Sequence, residues 1–424
     1  MSMVAQWAKT AFLSSLGGVT GGRLTVACPD RTYTFGDDGG LDATLAVRDE
    51  RFFLRALTGS DIGMGESFMD GDWTTPDVVP LVRLMLRSRR VFEGQSRLAG
   101  ALHRLAGGIA RRLRDNSLSG SRRHIHRHYD LGNEFFGLFL DRELRMYSCA
   151  YFESAAEPLE QAQARKADRI CRALRLSPGD RVLEIGSGWG GFAVWAATHY
   201  GCRVTTTTIS DEQYQYASEW RSRIGEAGSR IEVLRADYRE LTGQFDKAVS
   251  IEMFEAVGLS HYDDYFKAID RLLVPDGLMF LQTITVDDQW FPKYHGTPDW
   301  IEKYIFPGGE LASVGEILRS LARTTSLSMY HAENCGTHYA RTLHAWRARF
   351  HQSLDRVRAL GYDEPFIRMW DLYLGSCEAT FLERHTGLFQ LMLLKNGAQR
   401  LLFNEPWSDT ATGPGAAAAS EPAA

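Results

Sequence analysis

The stretch Val182-Leu183-Glu184-Ile185-Gly186-Ser187-Gly188-Trp189-Gly190-Gly191 passes from apolar residues into closely spaced glycines, then into the apolar segment Phe192 to Ala197. That order reads as strand, tight turn and helix. The turn leaves main-chain N–H groups open to a ligand, because no Cβ stands in front of them. Gly186, Gly188 and Gly191 satisfy the dinucleotide spacing G-x-G-x-x-G. A nicotinamide site would also place an acid about 20 residues on, at the end of the second strand. Here that strand ends Thr205-Thr206-Thr207-Thr208-Ile209-Ser210, with no acid before Asp211. The loop by itself leaves both a nucleotide and S-adenosylmethionine open as its occupant.

Further groups with chemical capacity fall at the ends of later strands: Asp237-Tyr238, Glu252 to Glu255, and Gln282 to Thr285. Asp237 can accept a hydrogen bond from a ribose hydroxyl or an adenine N–H, and Tyr238 offers a ring for adenine. The same pair could equally be an ordinary strand-to-helix cap. Glu255 is the acid that packing explains least. His124, His126 and His128 alternate, which would place all three on one face of a strand without a fourth ligand or a carboxylate brace. We therefore expect no metal there, and instead a polar pocket lining. The six cysteines contain no CxxC pair, so neither a zinc ribbon nor a disulfide framework is indicated.

The elements that must position these groups follow from periodicity. From Arg181 onwards strands are expected over 181–186, 203–209, 230–236, 247–252 and 277–284, with helices near 189–200, 211–225, 262–273 and 310–323. Such alternation predicts a parallel sheet covered on both faces, with ligands beyond the carboxyl ends of its strands. Later strands at 327–331 and 389–395 would bracket a helical insertion over about 340–384. Residues 1–90 read as a small α+β domain, with strands at 23–27, 31–35 and 43–47 and helices at 50–57 and 81–88.

Between about 87 and 127 arginine dominates. Leu98, Ala101, Leu102, Leu105, Ile109 and Leu113 recur at helical spacing, so 91–123 reads as a basic amphipathic linker. It could lie on an anionic bilayer, where each nearby Arg or Lys adds about 1 kcal/mol, or pack on the protein. Residues 406–424 are Ala, Gly, Pro and small polar residues, and are expected to be disordered. With 424 residues, 44% hydrophobic content and a formal net charge of −5, the chain suits a multidomain globular protein and not one that coats nucleic acid. No apolar run of membrane-spanning length occurs, and Met1 to Leu16 lacks a signal core, so a cytoplasmic protein is expected.

Taken in order, these motifs resemble the cyclopropane-fatty-acyl-phospholipid synthase family, which includes the mycolic acid cyclopropane synthases. They are His128-Tyr129-Asp130 with Gly132-Asn133 and Phe135-Phe136; Tyr147-Ser148-Cys149; the Gly186 loop; Thr208-Ile209-Ser210 with Gln213; and Met253-Phe254-Glu255 with Val257-Gly258. Tyr304 to Gly309, and His338-Tyr339 with Thr342 and Trp346, complete the set. The resemblance spans about His124 to Lys395 and implies a Rossmann-like class I methyltransferase fold with a mostly parallel seven-stranded sheet in a catalytic domain over 124–405. It also implies methyl transfer from S-adenosylmethionine to the double bond of an unsaturated fatty acyl chain of a phospholipid. Tyr147, Ser148, Gly186, Gly188, Thr208, Ile209, Gln213, Asp237 and Tyr238 would then surround the cofactor. The carbocation would lose its proton to a bicarbonate held by groups matching Cys149, Glu255, Tyr339 and the backbone near Ile284.

Gln282 departs from this pattern, since the family usually carries histidine there. Glutamine still donates to an anion but cannot exchange a proton, so a methylene or methyl-branched product stands beside the cyclopropane. A small-molecule N-methyltransferase shares the Met253-Phe254-Glu255 style of motif, and a lipid-binding protein without turnover would need the same pocket. The resemblance further implies a peripheral enzyme at the inner face of the membrane, where a homodimer would present two basic patches.

Overall fold

Alternating apolar and polar residues near the start of the chain build a small sheet in the computed structural model, which describes residues 3–88, 131–295 and 299–398. The basic segment expected at 91–123, the motif residues 124–130 and the tail 406–424 lie outside the described residues. Helix α1 (Met3–Ser15) leads to β1 (Gly22–Ala27), β2 (Thr32–Gly36) and β3 (Leu41–Val47), then to α2 (Arg51–Met69), β4 (Trp73–Thr74) and α3 (Val78–Arg87). The sheet order is β2-β1-β3-β4. β1 runs antiparallel to β2 and parallel to β3. The two-residue period puts Leu24 and Val26 of β1 and Ala43, Leu45 and Val47 of β3 on the buried face.

Three local features differ from the sequence expectation. The opening residues, read only for the lack of a signal core, form α1 and bury Ala8 and Phe12, with the Phe12 ring 5.0 Å from that of Phe52. Helix α3 starts at Val78, capped by Asp77 whose carboxylate accepts from Val79 N at 3.1 Å; Pro80 sits in the first turn, where its missing N–H is not needed. Helix α2 does not stop near Leu57 but runs to Met69, with one non-helical residue at Ser60 (φ 53°, ψ −137°). Gly63 and Gly65 argue against helix by propensity, yet tertiary packing requires one of them. A Cβ on Gly65 would stand 2.3 Å from the Trp300 ring.

The second sheet carries the catalytic face. After α4 (Gly132–Phe136) and α5 (Leu159–Ala173) come β5 (Arg181–Ile185), α6 (Gly191–His199), β6 (Arg203–Thr208), α7 (Asp211–Arg223), β7 (Ile231–Arg235), β8 (Phe245–Ile251), α8 (Tyr262–Leu272) and β9 (Leu273–Val286). Then follow α9 (Phe291–Tyr294), α10 (Trp300–Tyr304), α11 (Val314–Thr324), β10 (Leu327–Asn334), α12 (Gly336–Gln352), α13 (Leu354–Ala359), α14 (Glu364–Leu382) and β11 (Thr386–Lys395). The strand order is β10-β11-β9-β8-β5-β6-β7. Neighbours from β9 to β7 are parallel, whereas β11 is antiparallel to both β9 and β10. This is the α/β, seven-stranded, mostly parallel sheet of a class I methyltransferase. The helices expected between the late strands are α12 to α14.

Apolar residues of β5, β8 and β9 face two ways, into separate clusters under the helices on each side. A third cluster joins the N-terminal layer to the helical insertion, uniting Phe12, Phe52 and Trp73 with Phe135, Trp346 and Trp370. Ion pairs lock the seam: Arg347 bridges Asp77 and Asp371, each at 2.6 Å, and Glu383 accepts from Arg83 at 2.7 Å and Arg87 at 2.9 Å. Gly65 lies in this seam. Gly65→Val is therefore expected to lower stability by about 1–3 kcal/mol, the usual range for overpacking, measured by urea unfolding. An unchanged unfolding midpoint would mean that Trp300 does not pack where the fold places it.

Candidate active site

Thr207 O accepts from both Gly186 N (3.1 Å) and Ser187 N (2.8 Å), which anchors the glycine turn to the neighbouring strand. Gly188 adopts φ +49°, and a Cβ built there meets nothing within 4 Å, so this part of the loop faces open space. Behind the loop Trp189 Nε1 donates to Asn133 Oδ1 at 2.5 Å, and the Phe136 ring lies 5.1 Å from that of Trp189. The described part of the His124–Phe136 segment thus braces the loop with the Asn133 amide and the buried Phe136 ring, while the histidines expected as polar lining lie outside the described residues.

The open space is a cavity of about 840 Å³. Its wall contains all nine residues expected around the cofactor: Tyr147, Ser148, Gly186, Gly188, Thr208, Ile209, Gln213, Asp237 and Tyr238. Ser210 Oγ caps α7 through Gln213 N at 3.3 Å, and Thr208 Oγ1 donates to Gln213 Oε1 at 2.9 Å, which leaves the Gln213 amide N–H groups for a ligand. Asp237 is less free than expected. Its carboxylate accepts from Arg239 N (3.0 Å), Nε (2.8 Å) and Nη2 (2.8 Å), so it caps its own turn as well as lining the cavity. Adenosine hydroxyls could use the remaining lone pairs. Backbone amides at the turn, the Gln213 amide and the Tyr147 and Tyr238 rings together fit S-adenosylmethionine.

Two groups near the cofactor loop had not been singled out from sequence. Lys166 of α5 is fully buried and donates to Ser148 Oγ at 2.6 Å; burial lowers its ammonium to about 8. Glu184 at the end of β5 accepts from Thr206 Oγ1 at 2.6 Å, and burial raises it to about 8. The available signal was Lys166 among Ala162, Gln163, Ala167 and Ile170, on the buried face of an amphipathic helix.

The expected reaction residues separate into two groups. Around Glu252, Cys149 N donates at 2.8 Å and Gln282 Nε2 at 2.7 Å to Oε1, while Tyr339 OH donates at 2.6 Å to Oε2. Cys149 and Gln282 lie behind the cavity wall, whereas Glu252 and Tyr339 are part of it. In the second group, Glu255 Oε1 accepts from Ile284 N at 2.5 Å and from Thr283 Oγ1 at 3.1 Å. Glu255 Oε2 is buried with no hydrogen-bond partner among the described residues. Enclosure by protein, then the charge of Glu252, raises Glu255 to about 8. Enclosure also raises Glu252, against the hydrogen bond from Tyr339 and the charge of Lys166. Burial pushes the Cys149 thiol well up, so it stays protonated and is no nucleophile. A bicarbonate held by Cys149, Tyr339 and the Ile284 backbone would need donors that Glu252 and Glu255 already occupy, so these residues do not fit that anion. Among the described residues no group of three or more His, Cys, Asp or Glu side chains suits a metal.

The same cavity is also lined by apolar residues of the N-terminal layer, Met64, Leu81, Val82 and Met85, and of the insertion, Leu343 and Leu372.

Two outcomes follow from this geometry. Gly188→Ala is expected to weaken S-adenosylhomocysteine binding at least about tenfold in calorimetry, with stability reduced by only about 1–2 kcal/mol for a left-handed alanine; unaltered affinity would place the cofactor elsewhere. Glu255 holds its proton more tightly folded than unfolded, so the stabilisation is complete below its ordinary value of 4.5 and disappears as pH rises through about 8. Over that window Glu255→Gln should flatten the fall in unfolding midpoint, leaving the part due to the other buried carboxyls whose values are raised, among them Glu184, Glu252 and Asp299.

Comparison with known proteins matches residues 116–391 to the mycolic acid cyclopropane synthetase family. The chain is 38% identical to tuberculostearic acid methyltransferase UfaA1 of Mycobacterium tuberculosis over 88% of each chain. It is also 38% identical to the cyclopropane-fatty-acyl-phospholipid synthase of Escherichia coli, over 84% of this chain and 88% of that protein. Among solved structures, mycolic acid cyclopropane synthase CmaA1 complexed with SAH and CTAB superposes with a TM-score of 0.60 at 31% identity, covering 65% of this chain and 98% of that one. With the glycine turn, the cavity and the seven-stranded sheet in place, the chain belongs to the mycolic acid cyclopropane synthetase family and is an S-adenosylmethionine-dependent methyltransferase.

Proposed function

We propose that the enzyme methylates the double bond of an unsaturated fatty acyl chain of a phospholipid and that the product is a cyclopropane fatty acid. The observation that carries this reading is the lining of the cavity. The glycine turn and two carboxylates share it with an apolar set, Met64, Leu81, Val82, Met85, Leu343 and Leu372, which we read as an arm for a hydrocarbon. A long hydrocarbon gains about 25 cal/mol for each Å² it buries in such an arm; a small polar acceptor would leave the arm unused.

When bound, S-adenosylmethionine supplies an electrophilic methyl group, and an alkene that accepts it becomes a carbocation. An alkene is a weak nucleophile, so the chain's main task is alignment. The apolar arm holds the hydrocarbon, and the polar wall holds the donor. The rings of Tyr147, Phe306 and Tyr339 and the carboxylate of Glu252 line the cavity at the polar end, where they stabilise positive charge as it develops. Tyr147 is held by a hydroxyl contact with Tyr373 at 2.9 Å, and Tyr339 by stacking on Phe381 at 4.5 Å.

A second product is supported by the relatives themselves. Of the relatives described above, the Escherichia coli protein is named for cyclopropane synthesis and the Mycobacterium tuberculosis protein for tuberculostearic acid, so a methylene or methyl-branched chain is the alternative outcome of the same methyl transfer. Access to phospholipid would be peripheral, at the cytoplasmic face of a membrane and as a homodimer; among the described residues no helix is long and apolar enough to cross one. Nothing in the net charge of −5 favours a nucleic-acid partner.

Incubation with methyl-labelled S-adenosylmethionine and vesicles of monounsaturated phospholipid tests the reading. Mass spectrometry should show the acyl chains gaining one CH2, and NMR should separate ring from branch. Label transferred only to amine acceptors would overturn it in favour of N-methylation. Val82→Trp, which fills the arm, should cut lipid turnover at least about tenfold while S-adenosylhomocysteine binds within about twofold of wild type, since one misplaced ångström costs on the order of 10²-fold.

A further inference from the structure

We propose that Glu252 is the enzyme's own general base, its carboxylate standing where the family resemblance implies a bound bicarbonate. The inference rests on the alkene-methylating reading above. It starts from three donors that arrive from three separate parts of the chain and end on one side chain: the main-chain N–H of Cys149, the amide of Gln282 on β9 and the hydroxyl of Tyr339 on α12. Ile284 N, the fourth group implied for the anion, donates instead to Glu255. Every donor assigned to an external carbonate oxygen therefore already meets a carboxylate oxygen that belongs to the protein.

The direction of the Gln282 amide is not arbitrary. Arg169 Nε can only donate, so Gln390 Oε1, 3.0 Å away, accepts. Gln390 Nε2 then donates to Gln282 Oε1 at 3.0 Å. That leaves Gln282 Nε2 turned toward Glu252. The relay Arg169, Gln390, Gln282 thus presents a fixed N–H to Glu252 and stabilises its charged form. This explains why a glutamine serves where the resemblance expected histidine: a resident carboxylate needs an oriented donor, not a second proton carrier.

The backbone carries a further mark. Glu252 sits just past the end of β8 with φ +50°, a left-handed conformation that is strained for a non-glycine residue and persists where the surroundings enforce it. Glycine would be the inexpensive residue there. A glutamate at that position is retained for its side chain, which lines the cavity. Of the two acids, Glu252 has donors on both oxygens, which favour its anion, whereas Glu255 Oε2 has none among the described residues.

The step balances within the site. Once the alkene has accepted the methyl group, a C–H bond of that methyl breaks and its electron pair closes the third side of the ring. The proton passes to a Glu252 oxygen and leaves to water after product release. For a methylene product, the cation first migrates by hydride shift to the methyl-bearing carbon; the same C–H pair then forms the double bond, and the proton takes the same route.

The experiment compares wild type, Glu252→Gln and Glu252→Gly on monounsaturated vesicles in carbonate-free buffer, with and without added bicarbonate, with S-adenosylhomocysteine calorimetry to establish that each protein is folded. Wild type should turn over equally in both buffers. Glu252→Gln should lose about 100-fold or more in kcat, the usual contribution of general-base catalysis, and bicarbonate should not restore it. Glu252→Gly, which relaxes the backbone and vacates the position, should be inactive without bicarbonate and regain activity with it. Carbon-13 NMR of labelled bicarbonate should show binding to Glu252→Gly and none to wild type. Wild-type activity that needs bicarbonate, or labelled bicarbonate bound to wild type, would overturn the assignment, as would Glu252→Gln retaining activity within about tenfold. If wild type methylates no lipid in either buffer, the functional reading above has failed instead; the NMR comparison still decides what occupies the position.

Discussion

A carboxylate removed from bulk water must be met by hydrogen-bond donors, and much of the site's construction follows from meeting that demand for Glu252 and Glu255. An unpaired charge in such a place costs several kcal/mol, more than most single contacts return. Glu252 is met from a loop, a central strand and the helical insertion, with partners 103, 30 and 87 residues away in sequence. The bond from Tyr339 also ties the insertion to the end of β8. Behind these donors the buried relay through Gln390 and Arg169 extends the network across β11 to α5.

A different constraint shapes the other end of the cavity. The N-terminal layer is too small to close a core around both faces of its helices, so α2 and α3 share an apolar cluster with α12 and α14. Arginine–carboxylate pairs at Arg347 and Glu383 fix the seam. Packing that buries most of that seam leaves an apolar arm open beside it, continuous with the methyl-donor crevice. Stability and the cavity lining therefore draw on the same surfaces, and the N-terminal layer, which had no evident chemistry as sequence, forms part of the cavity wall.

The buried ionisable groups are arranged in opposing environments. Lys166 beneath Ser148 and Glu184 beneath the glycine turn sit in low-dielectric surroundings that disfavour their charges. Glu255 has two donors on one oxygen and none on the other among the described residues, whereas Glu252 has donors on both. Pairs of carboxylates whose surroundings push their proton affinities apart divide acid and base roles between them. The cavity's electrostatics follow from this uneven distribution of donors more than from the number of charges.

By itself the sequence determined the α/β sheet, because strand and helix periods alternate cleanly after Arg181, and the cofactor crevice, because a glycine turn after the first strand admits little else. Seven of the nine expected cofactor residues share one cavity wall because strand ends are neighbours in any parallel sheet; Tyr147 and Ser148 reach it from the loop before α5. Tertiary structure alone decided which acid is surrounded by donors. Glu252 and Glu255 are three residues apart and look alike in the chain, but a left-handed backbone turns one toward Cys149, Gln282 and Tyr339 and leaves the other with Ile284 and Thr283. It likewise decided that α2 runs through Gly63 and Gly65, since the benefit of packing Trp300 against Gly65 outweighs a local propensity that sequence reading must take at face value. Both outcomes depend on partners distant in the chain, and a local window holds no record of them.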